Sequence, residues 1–173
     1  MQKEGKMSEE RFKQAAKQLR SNSLDMKRAG LRSLATLRTQ EALELLGEIV
    51  ESGEPPIADE ALSLLANIPG EKAIRAMGAG LFSPDPFWRT WVFYALSKRK
   101  EPEALKWILK STTDESPIIR QNAIRILNTA AKENKEELAS LKDHTIDRVF
   151  RVLDKRLVQG FLDRACPTPL RLG

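Results

Sequence analysis

Asp85-Pro86-Phe87-Trp88-Arg89-Thr90-Trp91-Val92-Phe93-Tyr94-Ala95-Leu96 is answered 31 positions later by Ser116-Pro117-Ile118-Ile119-Arg120-Gln121-Asn122-Ala123-Ile124-Arg125-Ile126-Leu127. Each stretch places a helix-capping side chain before a proline and continues as an apolar stripe at helical spacing. The same shift runs back through the chain. Met26, Ile57, Trp88 and Ile119 fall in register, then Lys27, Ala58, Arg89 and Arg120, then Gly30, Ala61, Val92 and Ala123. Leu31, Leu62, Phe93 and Ile124 follow, and Leu34, Leu65, Leu96 and Leu127 close the pattern. Pro55, Pro86 and Pro117 coincide, preceded by Glu54, Asp85 and Ser116, with Ser23 marking the start in the first copy. Four first helices are predicted.

A second helix follows each of them. Ala42, Ala73 and Ala104, then Leu43, Ile74 and Leu105, then Leu46, Met77 and Ile108 recur at the same period, with starts at Thr39, Gly70 and Glu101-Pro102. In the fourth copy the second helix matches after a two-residue insertion, with Asn134 at its cap and Leu138 and Leu141 on the stripe. Phe12, Ala15 and Leu19 match Leu43, Leu46 and Val50, so residues 9–20 read as an N-terminal capping helix. Ile146, Val149, Phe150, Leu153, Leu157 and Phe161 define a C-terminal capping helix over 145–164, followed by a tail over 165–173. No strand-like alternation occurs. The chain reads as one all-α domain over 1–173 with four repeats over 23–142, in which each helix pair buries its apolar face only against neighbours.

The two quoted stretches, together with Glu103-Ala104-Leu105, resemble the short HEAT-like repeat first named from phycobilisome lyases. Lys27 and Ala58 depart from the arginine position, and Val92 from the alanine position. The resemblance implies a right-handed α-solenoid with first helices on the convex side and second helices on the concave side.

Composition narrows the function. At 173 residues, 41% hydrophobic, the chain can build a core without disulfides or a structural metal. One cysteine, Cys166, removes any Cys-based zinc site. The first residues lack a secretory h-region and no window reaches the roughly 18 apolar residues of a membrane span, so a cytoplasmic location is expected. Cations and anions stand at ten against eight in 1–51, six against five in 52–100 and thirteen against eleven in 101–173. That even spread, with Lys98-Arg99-Lys100 as the only basic run, argues against nucleic acid.

Convergent chemistry is missing. His144 is the only histidine and sits in a turn-like Lys142-Asp143-His144-Thr145, without a nucleophile motif. No phosphate loop or calcium loop is present, and neither a catalytic residue nor a cofactor is expected. Second-helix charges alternate between copies: Lys13, Glu44, Arg75 and Lys106 in one register, Glu10, Glu41, Lys72 and Glu103 in another. They read as ladders of exposed ion pairs between stacked helices. Arg75, Lys106 and Lys110 are the alternative, a basic site for an acidic partner. Gly78 and Gly80 mark either a close backbone approach or a frayed helix end.

The aromatic residues supply the strongest candidate. Six of the ten lie between Phe82 and Tyr94. Trp88, Val92 and Leu96 occupy the core stripe, whereas Phe87, Trp91, Tyr94 and Lys98 fall on the opposite side of the same helix. Equivalent positions elsewhere are mostly polar, as in Pro56, Glu60, Ser63 and Asn67. Phe87, Trp91 and Tyr94, with Lys98 at the rim, are therefore the expected contacts for another protein or for a second copy. A non-catalytic scaffold of bacterial type is the leading reading. The resemblance itself implies two others: an enzyme-associated subunit like the bilin lyases, and a DNA-binding protein like the HEAT-like alkylpurine DNA glycosylases.

Overall fold

A computed structural model describes residues 2–133. Eight α-helices and two short 3-10 turns make up these residues, with no strand among them. The helices are α1 (Gln2–Leu19), α2 (Leu24–Leu37), α3 (Gln40–Ser52), α4 (Ile57–Ala66), α5 (Glu71–Gly78), α6 (Pro86–Ser97), α7 (Pro102–Lys110) and α8 (Pro117–Glu133). They divide between two compact units, Met1–Trp107 and a second starting at Ile108. The expected second helix of the fourth repeat, the C-terminal helix 145–164, the tail 165–173, His144 and Cys166 lie outside the described residues.

In the first unit the helices pair and stack in the manner of an α-solenoid. First helices α2, α4 and α6 neighbour one another in order, and α3 and α5 form the layer behind them. The starts follow the capping residues. Ser23 Oγ accepts from the Met26 amide, Thr39 Oγ1 from Ala42 and Asp85 Oδ1 from Phe87. Pro86 then occupies the first turn of α6, where a missing N–H costs nothing. Two boundaries differ from expectation. Helix α4 begins at Ile57, two residues after Pro55, with a cis Pro55–Pro56 peptide ahead of it and no side-chain cap. Helix α1 begins at Gln2 and not at residue 9: its charged helix formers carry it past the part that packs on α2, and Gly5, Lys6 and Met7 are exposed.

The core is the repeated stripe. Leu31, Leu34, Ala61, Leu65, Val92 and Leu96 are fully buried, faced by Ala42, Leu46, Ala73, Ile74 and Met77. Only the first register of the stripe varies, from buried Trp88 to exposed Met26. The Trp88 indole reaches back to α3, where its Nε1 donates to the Val50 carbonyl at 2.6 Å. That carbonyl belongs to the last turn of α3, which has no intrahelical donor. Gly53 makes room for the ring. It ends α3 at φ +64°, and a Cβ there would stand 2.9 Å from Trp88 Cδ1.

The glycines of the second repeat mark close approach. Helix α5 stops at Gly78 and continues as a 3-10 turn over Ala79–Phe82. A Cβ on Gly78 would stand 2.3 Å from the Trp107 ring, and one on Gly80 would lie 2.7 Å from both Val50 Cγ1 and Val92 Cγ2. Phe82 meets Trp107 edge-on, with centroids 6.1 Å apart.

The repeat arginine has a structural task in the two copies that keep it. Arg89 Nη1 donates to the Ser83 and Pro84 carbonyls at 3.0 and 3.2 Å. In the second unit Arg120 Nη1 does the same at 2.7 and 2.8 Å to Asp114 and Glu115. Both side chains reach back five and six positions and tie the loop to the helix it feeds. Ala58 is simply buried at this register. The second unit also buries Ile119, Ala123, Ile124 and Leu127 of α8.

Arg89→Ala, which strands two loop carbonyls, should cost roughly 1–3 kcal/mol in urea unfolding. Exposed Arg125→Ala should stay within about 0.5 kcal/mol. Gly78→Ala should destabilise by about 1–3 kcal/mol although alanine favours helix, because its methyl overlaps Trp107; an unchanged or raised midpoint would contradict the packing.

Candidate functional site

Helix α6 sets the candidate site by its rotation. Trp88, Val92, Phe93 and Leu96 face inward. The opposite side must then face out, and it does: Phe87 is 80% exposed, Trp91 68% and Tyr94 40%. Lys98, at the C-cap, is exposed beside them. The structure thus brings the four expected residues together on one face. Tyr94 also rests edge-on against buried Phe93, with centroids 5.8 Å apart. The neighbouring helix α4 turns polar Ser63 and Asn67 outward, and its Glu60 is held by Arg28 and Arg32 of α2 at 3.0 and 3.2 Å. The aromatic face is therefore bordered by a polar surface whose carboxylate is already neutralised.

The second-helix layer behaves differently from its expected ladders. One rung forms between neighbouring helices, where Arg75 Nε of α5 meets Glu103 Oε1 of α7 at 3.0 Å and Lys106 joins at 3.1 Å. Glu103 is nearly buried, and burial opposes its charge. Hydrogen bonds and charge from Lys106 and Arg75 outweigh that penalty and hold its carboxyl below the usual range. Two of the three expected basic-site residues, Arg75 and Lys106, thus spend their charge on Glu103. Lys110 lies in the last turn of α7, within the second unit.

The other rungs stay open. Lys13 pairs with Glu9 of its own helix at 2.6 Å, and Glu44 accepts from Gln40 at 2.6 Å. Among the described residues Glu41, Glu48 and Glu51 form no ion pair. Two grooves of about 450 Å³ run beside this helix, one over Leu43, Gly47, Ala76 and Ala79 and the other over Phe12, Ala16, Leu45 and Ile49. Beneath the first groove α3 and α5 are in close contact, since a Cβ on Gly47 would stand 3.1 Å from the Ala76 carbonyl oxygen.

One cluster was hidden inside the basic run. Arg99 is not a free cation, because its Nη1 donates to the Ala66 and Ile68 carbonyls at the end of α4 and its Nε meets Glu101 at 3.2 Å. The Arg99 hydrogen bond is the main reason the Glu101 carboxyl falls from 4.5 to about 2. This staple joins the end of one repeat to the turn of the next. The sequence signal was weak, an arginine two positions before a glutamate.

Among the described residues no group of three or more His, Cys, Asp or Glu is placed to hold a metal, and no helix is long and apolar enough to cross a membrane.

Comparison with known families turns on the repeat. Residues 48–128, from within α3 into α8, match the family model described as HEAT repeats. Over that stretch the chain is similar to HEAT repeats. No curated protein and no solved structure matches it. The HEAT match takes in the whole of α6, so the aromatic face belongs to a repeat and not to an insertion.

Glu101 ties the HEAT packing to pH. Its folded-state pKa is depressed, so its contribution is complete above about pH 4.5 and disappears as pH falls towards 2. The stability gap between the native chain and Glu101→Gln should be widest near neutral pH and should close over that range in acid-urea unfolding. A gap independent of pH would contradict the Arg99–Glu101 staple.

Proposed function

We propose that this chain is a non-catalytic HEAT-repeat module that binds protein through the outer face of α6, with Phe87, Trp91 and Tyr94 as anchors and Lys98 at the rim. The observation that carries the reading is the exposure of Phe87 and Trp91 on a helix whose opposite side is locked into the core. HEAT repeats generally mediate protein–protein interaction. Exposed aromatic patches of this kind mark interfaces, and Trp and Tyr dominate the energetics of those studied.

The mechanism is presentation. Trp88, Gly80 and Val92 fix α6 against α3, so the anchors are held in place before the partner arrives and little ordering entropy is lost on binding. Arg75 and Lys106, engaged with Glu103, support the stack and not the contact.

Replacing all three anchors by serine should change the unfolding free energy by less than about 1.5 kcal/mol, at about 0.5 kcal/mol per surface substitution. The native chain used as bait should retain a protein that the triple variant does not, while an Arg75→Ala, Lys106→Ala bait should still retain it. A triple variant that loses several kcal/mol would make these aromatics core, as buried Phe and Trp cost about 3–5 kcal/mol each.

A further inference from the structure

The spacing along α6 singles out one partner. We propose that the aromatic face binds a second copy of this chain, with α6 antiparallel to α6 of the other protomer; this rests on reading that face as an interface. Phe87, Trp91, Tyr94 and Lys98 are separated by four, three and four positions. Such a stripe reads the same in both directions. Laid against itself in antiparallel sense, it matches about a midpoint between Val92 and Phe93.

The matched pairs are chemically complementary. Trp91 meets the partner's Tyr94, an aromatic pair that stacks or packs edge-on. Phe87 meets the partner's Lys98, whose ammonium can sit over the ring. Beyond the two ends of the helix, the same alignment brings acidic Asp85 and the partner's basic Lys100 to the same end of the pair. All three outer residues, Asp85, Lys98 and Lys100, are exposed. Asp85 uses Oδ1 to cap the Phe87 amide, which leaves its second oxygen for an ammonium. A parallel arrangement would instead set Lys98 against Lys98 and Asp85 against Asp85, with like charges opposed at both ends.

Charge along the helix supports the same sense. The start of the stripe is acidic at Asp85, and its end is basic at Lys98 and Lys100. Arg99 and Glu101, which interrupt that basic end in sequence, neutralise each other within the fold. Antiparallel helices also oppose their dipoles. A two-fold contact places the same patch on both subunits, the requirement for a closed dimer.

The test combines mass with orientation, in a Cys166→Ser chain that removes the only cysteine. Light scattering after size exclusion should give the mass of two chains, and a Trp91→Ser, Tyr94→Ser variant should give the mass of one with unchanged circular dichroism. Phe87→Cys and Lys98→Cys chains should form a disulfide dimer only when mixed, since like positions would lie about 16 Å apart along the antiparallel pair. A native chain of single-chain mass at every concentration, with the serine variant equally folded, would overturn the second copy and leave the interface reading standing. Disulfide dimers from Phe87→Cys alone would overturn the antiparallel arrangement. A serine variant that unfolds would overturn both readings.

Discussion

The bond from the Trp88 indole to the Val50 carbonyl fixes the rotation of α6, and the outward face of that helix follows from it. A helix with Trp88, Val92 and Leu96 seated inward has no freedom in what it turns to solvent. Gly53 and Gly80 permit the seat, one by accepting the ring and the other by letting the chain pass between Val50 and Val92. Arg89 then holds the loop that delivers α6 to this position. Rigidity and exposure therefore have a common origin in the packing behind the helix.

The charged residues divide along similar lines. Arg89, Arg99 and Glu103 are largely buried and fully engaged, and they tie loops and successive helices together. Glu41, Glu48 and Glu51 are exposed and form no ion pair among the described residues. A net charge of +5 consequently says little about partners, since several cations of the third repeat are structural.

Much of this was legible in the sequence because it is periodic. The 31-residue register located α2 through α8, Ser23, Thr39 and Asp85 marked their caps, and the phase of Trp88 against Trp91 separated the core from the face. What escaped depends on distances that no period encodes. Trp88 meets Val50 across 38 positions, and Trp107 fills the space above Gly78, neither of which leaves a local signature. The charge ladders formed only in part, since register aligned Lys13 with Glu44 without fixing which partner each takes, and Lys13 pairs with Glu9 and Glu44 with Gln40 of their own helices. Arg99 looked like part of a basic run because burial, not identity, decides whether a cation is free.

The most direct measurement is hydroxyl-radical footprinting of the intact chain over a range of concentrations, with oxidation resolved at single residues. The account requires Trp88 to be protected throughout, while Phe87 and Trp91 are oxidised in dilute solution and become protected as concentration rises. Trp91 protected as strongly as Trp88 at the lowest concentration would contradict the rotation of α6 on which the account rests. Trp91 oxidised equally at every concentration would contradict the pairing of two copies.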